Sequence, residues 1–361
     1  MDGKASGPHS GAMDRDTLAP SEFAPRTTYL NTASTGLLPA RAAAAVTEAT
    51  NAMAAGLSAD MFEDVEAARA SFARLAGVPA RRVAAGASVA VHAGLVAASL
   101  PDGAEVLVAE GDFSSLVNPF HVRRDLKVRT VPLESLAGAV RPDTALVAVS
   151  SVQSADGRRA DLDAIGAAAR AYGARTLVDA SQSVGWLPLE ASAYDYTVAV
   201  AFKWLMGPRG VAFMVVPDNL GGLTPTSAGW VSGERPWDSC YGQITELAHS
   251  ARRFDESPSL LAYVGARRSL ELVEEVGVAA IGAHDLALAE RYRTGLAELG
   301  HEPVAAPGSP IVSVPGLGHR QGELSRAGVQ VSDRAGNLRT AFHLYNAPAD
   351  VDRLLEVLAE G

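Results

Sequence analysis

The chain has 361 residues, 48% of them hydrophobic, and a formal net charge of -10; that length buries a large core with room for a big domain and a smaller one. The negative balance excludes a surface that as a whole holds nucleic acid or an anionic membrane, and leaves a small molecule as the default partner. The single cysteine, Cys240, excludes an intrachain disulfide and a cysteine-rich metal cluster and fits a reducing cytoplasm, while no apolar run reaches transmembrane length.

In chain order, residues 1–20 are polar and glycine-containing, lack a signal-peptide core, and are expected to form a disordered tail. Helices are predicted at 40–55, 64–76, 89–100 and 162–171. Strands are predicted at 106–109, 128–132, 145–150, 175–179, 196–201 and 210–216. This alternation is the pattern of a mostly parallel sheet covered on both faces, an α/β fold. A Gly-, Pro-, Ser- and Trp-rich connection spans 221–256. Helices at 260–276 and 279–299 follow, then short strands near 311–314, 329–332 and 338–344. The expected division is a large domain over 21–245 and a smaller C-terminal α+β domain over 246–361.

Chemistry enters at Lys203, in Ala201-Phe202-Lys203-Trp204-Leu205-Met206-Gly207-Pro208-Arg209-Gly210. A lysine between an apolar strand and a glycine-rich turn is expected to be buried, and a buried lysine that stays neutral is a ready nucleophile for an aldehyde cofactor. Upstream, the strand at 175–179 ends in Asp179, with Gln182 one short turn beyond. A carboxylate at a strand end holds a proton on a pyridine nitrogen, and an amide there is placed for the ring's phenolic oxygen. Amine, carboxylate and glutamine together point to pyridoxal 5'-phosphate. In such sheets the chemistry gathers outside the C-terminal strand ends, where Phe113, Asp179 and Lys203 all fall.

Asp179-Ala-Ser-Gln182 followed by Phe202-Lys203-Trp204-Leu205-Met206-Gly207-Pro208-Arg209-Gly210 resembles the class V aminotransferase family of fold-type I pyridoxal phosphate enzymes. Cysteine desulfurases, kynureninases and isopenicillin N epimerase-like proteins belong to it. The likeness runs from Tyr29-Leu30-Asn31 to Arg339 and beyond, nearly the whole chain. It implies a mostly parallel seven-stranded sheet in the large domain and a homodimer with its active site at the interface.

The phosphate is expected at Gly86-Ala87-Ser88, where a helix N-terminus and a hydroxyl make an anion site without a cation; alone, Ser88 reads as an N-cap. The resemblance implies further roles. Phe113 would stack on the cofactor ring where relatives have a histidine or other aromatic, and unlike histidine it cannot move a proton. Val200 and Phe202 replace a serine and a histidine of relatives, so a phosphate donor is missing there. Ser257 would reach the partner subunit's phosphate. Arg339 would clamp the substrate carboxylate, and Asn31 and Thr35 would lie in the loop over the substrate. Period two along the strand at 338–344 puts His343 on the face of Arg339, as a substrate-side residue or a structural histidine. Tyr241 is a candidate wall of the substrate pocket.

No cysteine lies between Pro315 and Leu338, where a persulfide-forming desulfurase carries one. The leading expectation is a C–S lyase that eliminates a thiol from a cysteine S-conjugate, in small-molecule biosynthesis. An aminotransferase, an epimerase and a decarboxylating deaminase are the rivals with the same cofactor. A non-catalytic binding protein is the rival from another class.

Overall fold

The structure, a computed structural model, describes residues 16–57 and 60–360. The first elements are β1 (Thr28–Tyr29), α1 (Ala40–Ala54), α2 (Phe62–Leu75), β2 (Val83–Gly86) and α3 (Val89–Ala98). Next come β3 (Glu105–Ala109), α4 (Ser114–Val122), β4 (Lys127–Val131), α5 (Leu136–Ala139) and β5 (Thr144–Ser150). The sheet is completed by α6 (Leu162–Tyr172), β6 (Arg175–Asp179), β7 (Tyr196–Val200) and β8 (Ala212–Val215). The seven strands lie in the order β2-β8-β7-β6-β5-β3-β4, with β8 antiparallel to both neighbours and the rest parallel. The mostly parallel seven-stranded sheet is thus as expected.

Its central strands read as continuous Val, Leu and Ala runs because both faces are covered. The outer strand β4 instead exposes Lys127 and Thr130, which blunts the edge against pairing with another chain. Helix α6 shows how the crossovers are bounded: Asp161 caps it by accepting from the Ala164 N–H, and Gly173 ends it with a left-handed φ of 73°. Strand β2, which the sequence pattern missed, is fixed from outside the sheet. Arg69 donates to the Val83 carbonyl at 2.7 Å, and Asp255 accepts from the Ala85 N–H at 2.8 Å. The two side chains are buried and paired at 2.6 Å, so each supplies the countercharge that makes the other's burial tolerable.

The remaining elements are α7 (Leu260–Val276), α8 (Val278–Glu298), β9 (Ile311–Val314), α9 (Gln321–Arg326), β10 (Val329–Gln330), β11 (Ser332–Arg334), β12 (Asn337–Ala341) and α10 (Pro348–Ala359). Strands β11, β12 and β9 form an antiparallel sheet whose core includes Leu288, Tyr292, Val312, Phe342 and Leu354. Packing does not change at 245/246. Tyr263, Leu270 and Val273 of α7 belong to the core of the large sheet, and the chain turns away only at Gly277, with φ 88°.

The N-terminal segment threads both cores. β1 pairs with β10, Leu30 is buried in the small core, and Ala33 in the large one. Of the expected tail, residues 1–15 lie outside the described residues. Residues 16–20 depart from the expectation: the Leu18 N–H donates to the Leu344 carbonyl at 3.0 Å and Ala19 is buried, so backbone pairing and apolar contact hold this stretch.

Candidate active site

A cavity of about 480 Å³ opens beyond the C-terminal ends of β3, β6 and β7. Lys203 lines it, 6% exposed, with Nζ 5.0 Å from the centroid of the Phe113 ring. Burial, the largest influence, lowers its amine to about 8; Arg339, Arg209 and Arg334 push the same way and Asp179 opposes them. The amine is therefore substantially neutral near pH 8, as a nucleophile or base requires.

The turn carrying Lys203 is clamped by backbone on backbone. The Met206 N–H donates to the Lys203 carbonyl and Gly207 to Ala201, with Met206 in a left-handed conformation at φ 55°. Gly36 donates to the Phe202 carbonyl at 2.8 Å and lies so close that a Cβ there would stand 2.1 Å from the Lys203 oxygen. Gly185, at φ 105°, approaches the Trp204 carbonyl as closely as its missing side chain allows.

Asp179 ends β6 and accepts from the Ser181 N–H at 2.8 Å; burial raises its carboxyl, and Lys203 is the main opposing charge. Phe113 is 44% exposed, its ring facing the cavity. Asp112 secures its backbone, accepting from the Phe113 N–H and from Ser150 and Gln153 at the end of β5. Ala87 and Ser88 reach the cavity where α3 begins, with Ser88 as N-cap accepting from Val91. Gly86 lies behind them: a Cβ there would stand 2.7 Å from the His92 ring. The Ala87 N–H donates to Glu256 at 2.8 Å.

Other expected positions are displaced from the cavity. Gln182 donates to the Ala33 carbonyl and Ser154 Oγ and accepts from the Trp204 indole, so both its N–H groups are taken and it orders a wall instead of facing a ring oxygen. Asn31 accepts from Ser332, and Thr35 accepts from Arg209; Ser34, between them in the segment, lines the cavity. Arg339 is buried one layer behind, donating to Ser34 Oγ at 2.6 Å and to Ser154 Oγ at 3.1 Å. Its Nε has no partner among the described residues.

His343 is not a substrate-side residue. β12 ends at Ala341 and the chain turns, the His343 N–H donating to Asn346 Oδ1, so the period-two face does not extend that far. The fully buried ring lies between Asp285, at 2.9 Å from Nδ1, and the Trp204 carbonyl, at 3.0 Å from Nε2. Tyr241 is 94% exposed and does not line this chain's cavity; Trp230 and Trp237 line a separate one of about 200 Å³ with Phe62. Ser257 is exposed and also absent from the lining.

The family model for class-V aminotransferases matches residues 28–354. The chain belongs to the class V aminotransferase family. A *Bacillus subtilis* relative described as the uncharacterized aminotransferase YcbU is 27% identical, covering 83% of this chain and 84% of its own. Isopenicillin N epimerase of *Streptomyces clavuligerus* is 28% identical over 92% and 94%. Among solved structures, the cystine C-S lyase C-DES with its product cysteine persulfide superposes with a TM-score of 0.84 at 25% identity, covering 93% of this chain and 98% of that one.

As a class V aminotransferase the chain is a pyridoxal phosphate enzyme, and the residues present fit that group. A buried amine, a buried carboxylate at a strand end, an aromatic ring beside the amine and a capped helix N-terminus surround one cavity. Sequence reasoning missed Ser34, Ser154, Arg209 and Arg334 as cavity residues. They sit on loops and a strand end, where no periodicity marks a face, and nothing in the sequence around the two arginines sets them apart from solvated ones.

Proposed function

We propose that this enzyme is a C–S lyase that eliminates a thiol from a cysteine S-conjugate. The observation that carries this reading is that the cavity presents one amine and, among the described residues, no thiol, since Cys240 is exposed elsewhere. Proton removal at the α-carbon is provided for, while transfer of sulfur to an enzyme cysteine is not. The likeness to a cystine C-S lyase structure supports the same reading. Bound pyridoxal phosphate supplies an aldehyde for the amine and an electron sink for the α-carbon.

In this reading Lys203 holds the cofactor and then moves the α-proton. Asp179 would keep the pyridine nitrogen protonated, Phe113 would shield the cofactor from water, and the Ser88 hydroxyl at the start of α3 would be a donor to the phosphate, beside the Ala87 N–H that Glu256 holds. Arg339 draws the α-carboxylate to the corner bounded by Ser34 and Ser154 and so orients the Cα–H bond. The thiolate leaves from the β-carbon, and with one water the remainder becomes pyruvate and ammonia. Epimerisation by two opposed bases is disfavoured, since Phe113 carries no proton. Ser257, exposed and outside this chain's cavity, suits a homodimer in which it serves the partner. The lone cysteine and the absence, among the described residues, of a helix able to cross a membrane suit a cytoplasmic enzyme.

The test is to mix loaded enzyme with cysteine S-conjugates and identify products by mass spectrometry. Equal amounts of thiol, pyruvate and ammonia are expected, all lost in Lys203→Ala. Amino transfer to a keto acid with no thiol released from any conjugate overturns the reading.

A further inference from the structure

Arg334 and Arg209 line the lysine cavity and Arg339 lies buried one layer behind it, and among the described residues no carboxylate pairs with any of the three guanidinium groups. Arg334 donates to Ser34 Oγ at 2.9 Å and to the Asp333 carbonyl; Arg339 donates to the same Ser34 Oγ at 2.6 Å and to Ser154. Arg209 donates to Thr35 Oγ1 at 2.9 Å and lies 4.2 Å from the centroid of the Phe202 ring. Every acceptor is neutral, and among the described residues none of the three makes an ion pair.

Elsewhere the chain forks comparable arginines onto acids, as in Arg41 with Glu22 and Glu275, Arg74 with Glu274 and Arg291 with Asp352. With 41 acidic against 31 basic residues, partners are in surplus. Two cations sharing one hydroxyl oxygen repel each other. Burial, then the neighbouring Arg334, lowers Arg339 to about 9. An anion settling there removes the repulsion and gains charge-assisted hydrogen bonds. The α-carboxylate accounts for one guanidinium, and the phosphate has the Ser88 hydroxyl and the start of α3, where Glu256 holds the Ala87 N–H. Arg334 and Arg209, both lining the cavity on its exposed side, remain unmatched.

We propose that the substrate carries a second acidic group, remote from its α-carboxylate, which Arg334 and Arg209 take up at the cavity rim. This rests on the reading of the site as one for an amino-acid substrate and narrows the conjugate to one whose sulfur substituent ends in a carboxylate.

The experiment measures binding by the change in cofactor absorbance of the loaded enzyme, wild type, Arg334→Gln and Arg209→Gln. The probes are pairs matched in length: S-carboxymethylcysteine with its side-chain amide, and glutamate with glutamine. The acid of each pair is expected to bind roughly 10- to 100-fold more tightly, as one or two charge-assisted hydrogen bonds allow, with the ratio falling towards one in each variant. Equal binding of acid and amide by the wild type, or an undiminished ratio in Arg334→Gln, overturns the proposal. Arg209→Gln that weakens pyridoxal phosphate binding and leaves the ratio intact overturns the part given to Arg209 and makes it a phosphate ligand. Preference for the acid without thiol release from any conjugate overturns the lyase reading and leaves the second acidic group standing.

Discussion

Burial does most to lower the Lys203 amine, and the charged neighbours that adjust it further act with opposite signs that can be separated. Only the neutral amine attacks an aldehyde, so capture of pyridoxal phosphate by the apo enzyme should rise with pH and level off, with a midpoint near 8. Asp179 favours the charged amine, so Asp179→Asn should move that midpoint to lower pH. Arg339 disfavours it, so Arg339→Gln should move the midpoint up. Stopped-flow absorbance across pH 6 to 10 checks both, and shifts in the same direction would refute this account. Lys203 and Asp179 were legible in the sequence because each stands at the abrupt end of an apolar run, where a charged residue has no packing reason to be. Ser34 and Ser154 were not, since a loop hydroxyl looks the same whether it faces water or a buried guanidinium.

Among the elements, the turn after β7 depends on what presses against it. Gly36→Ala would drive a methyl group into the Lys203 carbonyl, where the obstacle is backbone and cannot swing aside. A loss of about 1–3 kcal/mol is expected in urea unfolding, as for overpacking in a core. His343→Leu should cost more, about 3–5 kcal/mol in the same measurement, because it strands the buried Asp285 carboxyl, whose Oδ1 already has no partner. The sequence missed these dependencies for local reasons. An alternating pattern does not say where a strand stops, so the stretch after Ala341 read as more β12 although Asn346 turns it. Val83-Ala-Ala-Gly86 is too short and alanine-rich to read as a strand, and its place comes from Arg69 and Asp255, far apart in the chain. Pro119 inside α4 hid a helix that tertiary packing tolerates. The other sheet strands were plain because buried parallel strands have nearly uniform composition bounded by polar turns.

Across the whole molecule, the site draws on residues from nearly the full length of the chain. Thr28 pairs with Val329, Asn31 bridges to Ala341, and Ser34 shares its hydroxyl with Arg334 and Arg339. The large sheet, by contrast, is built mainly from neighbours in sequence. Closing a loop of some 300 residues costs entropy that is recovered only when both ends are seated, so these contacts form late. On refolding from urea, far-UV circular dichroism should therefore recover before the ability to bind pyridoxal phosphate; simultaneous recovery would refute this order. The N-terminal segment that threads both cores has a further consequence during synthesis. Its partners in β10 and β12 are made about 300 residues after it, so a nascent chain that has not reached them can form most of its sheet yet leaves its lysine turn uncovered. Activity is withheld until those strands have been made and the first segment is seated between them.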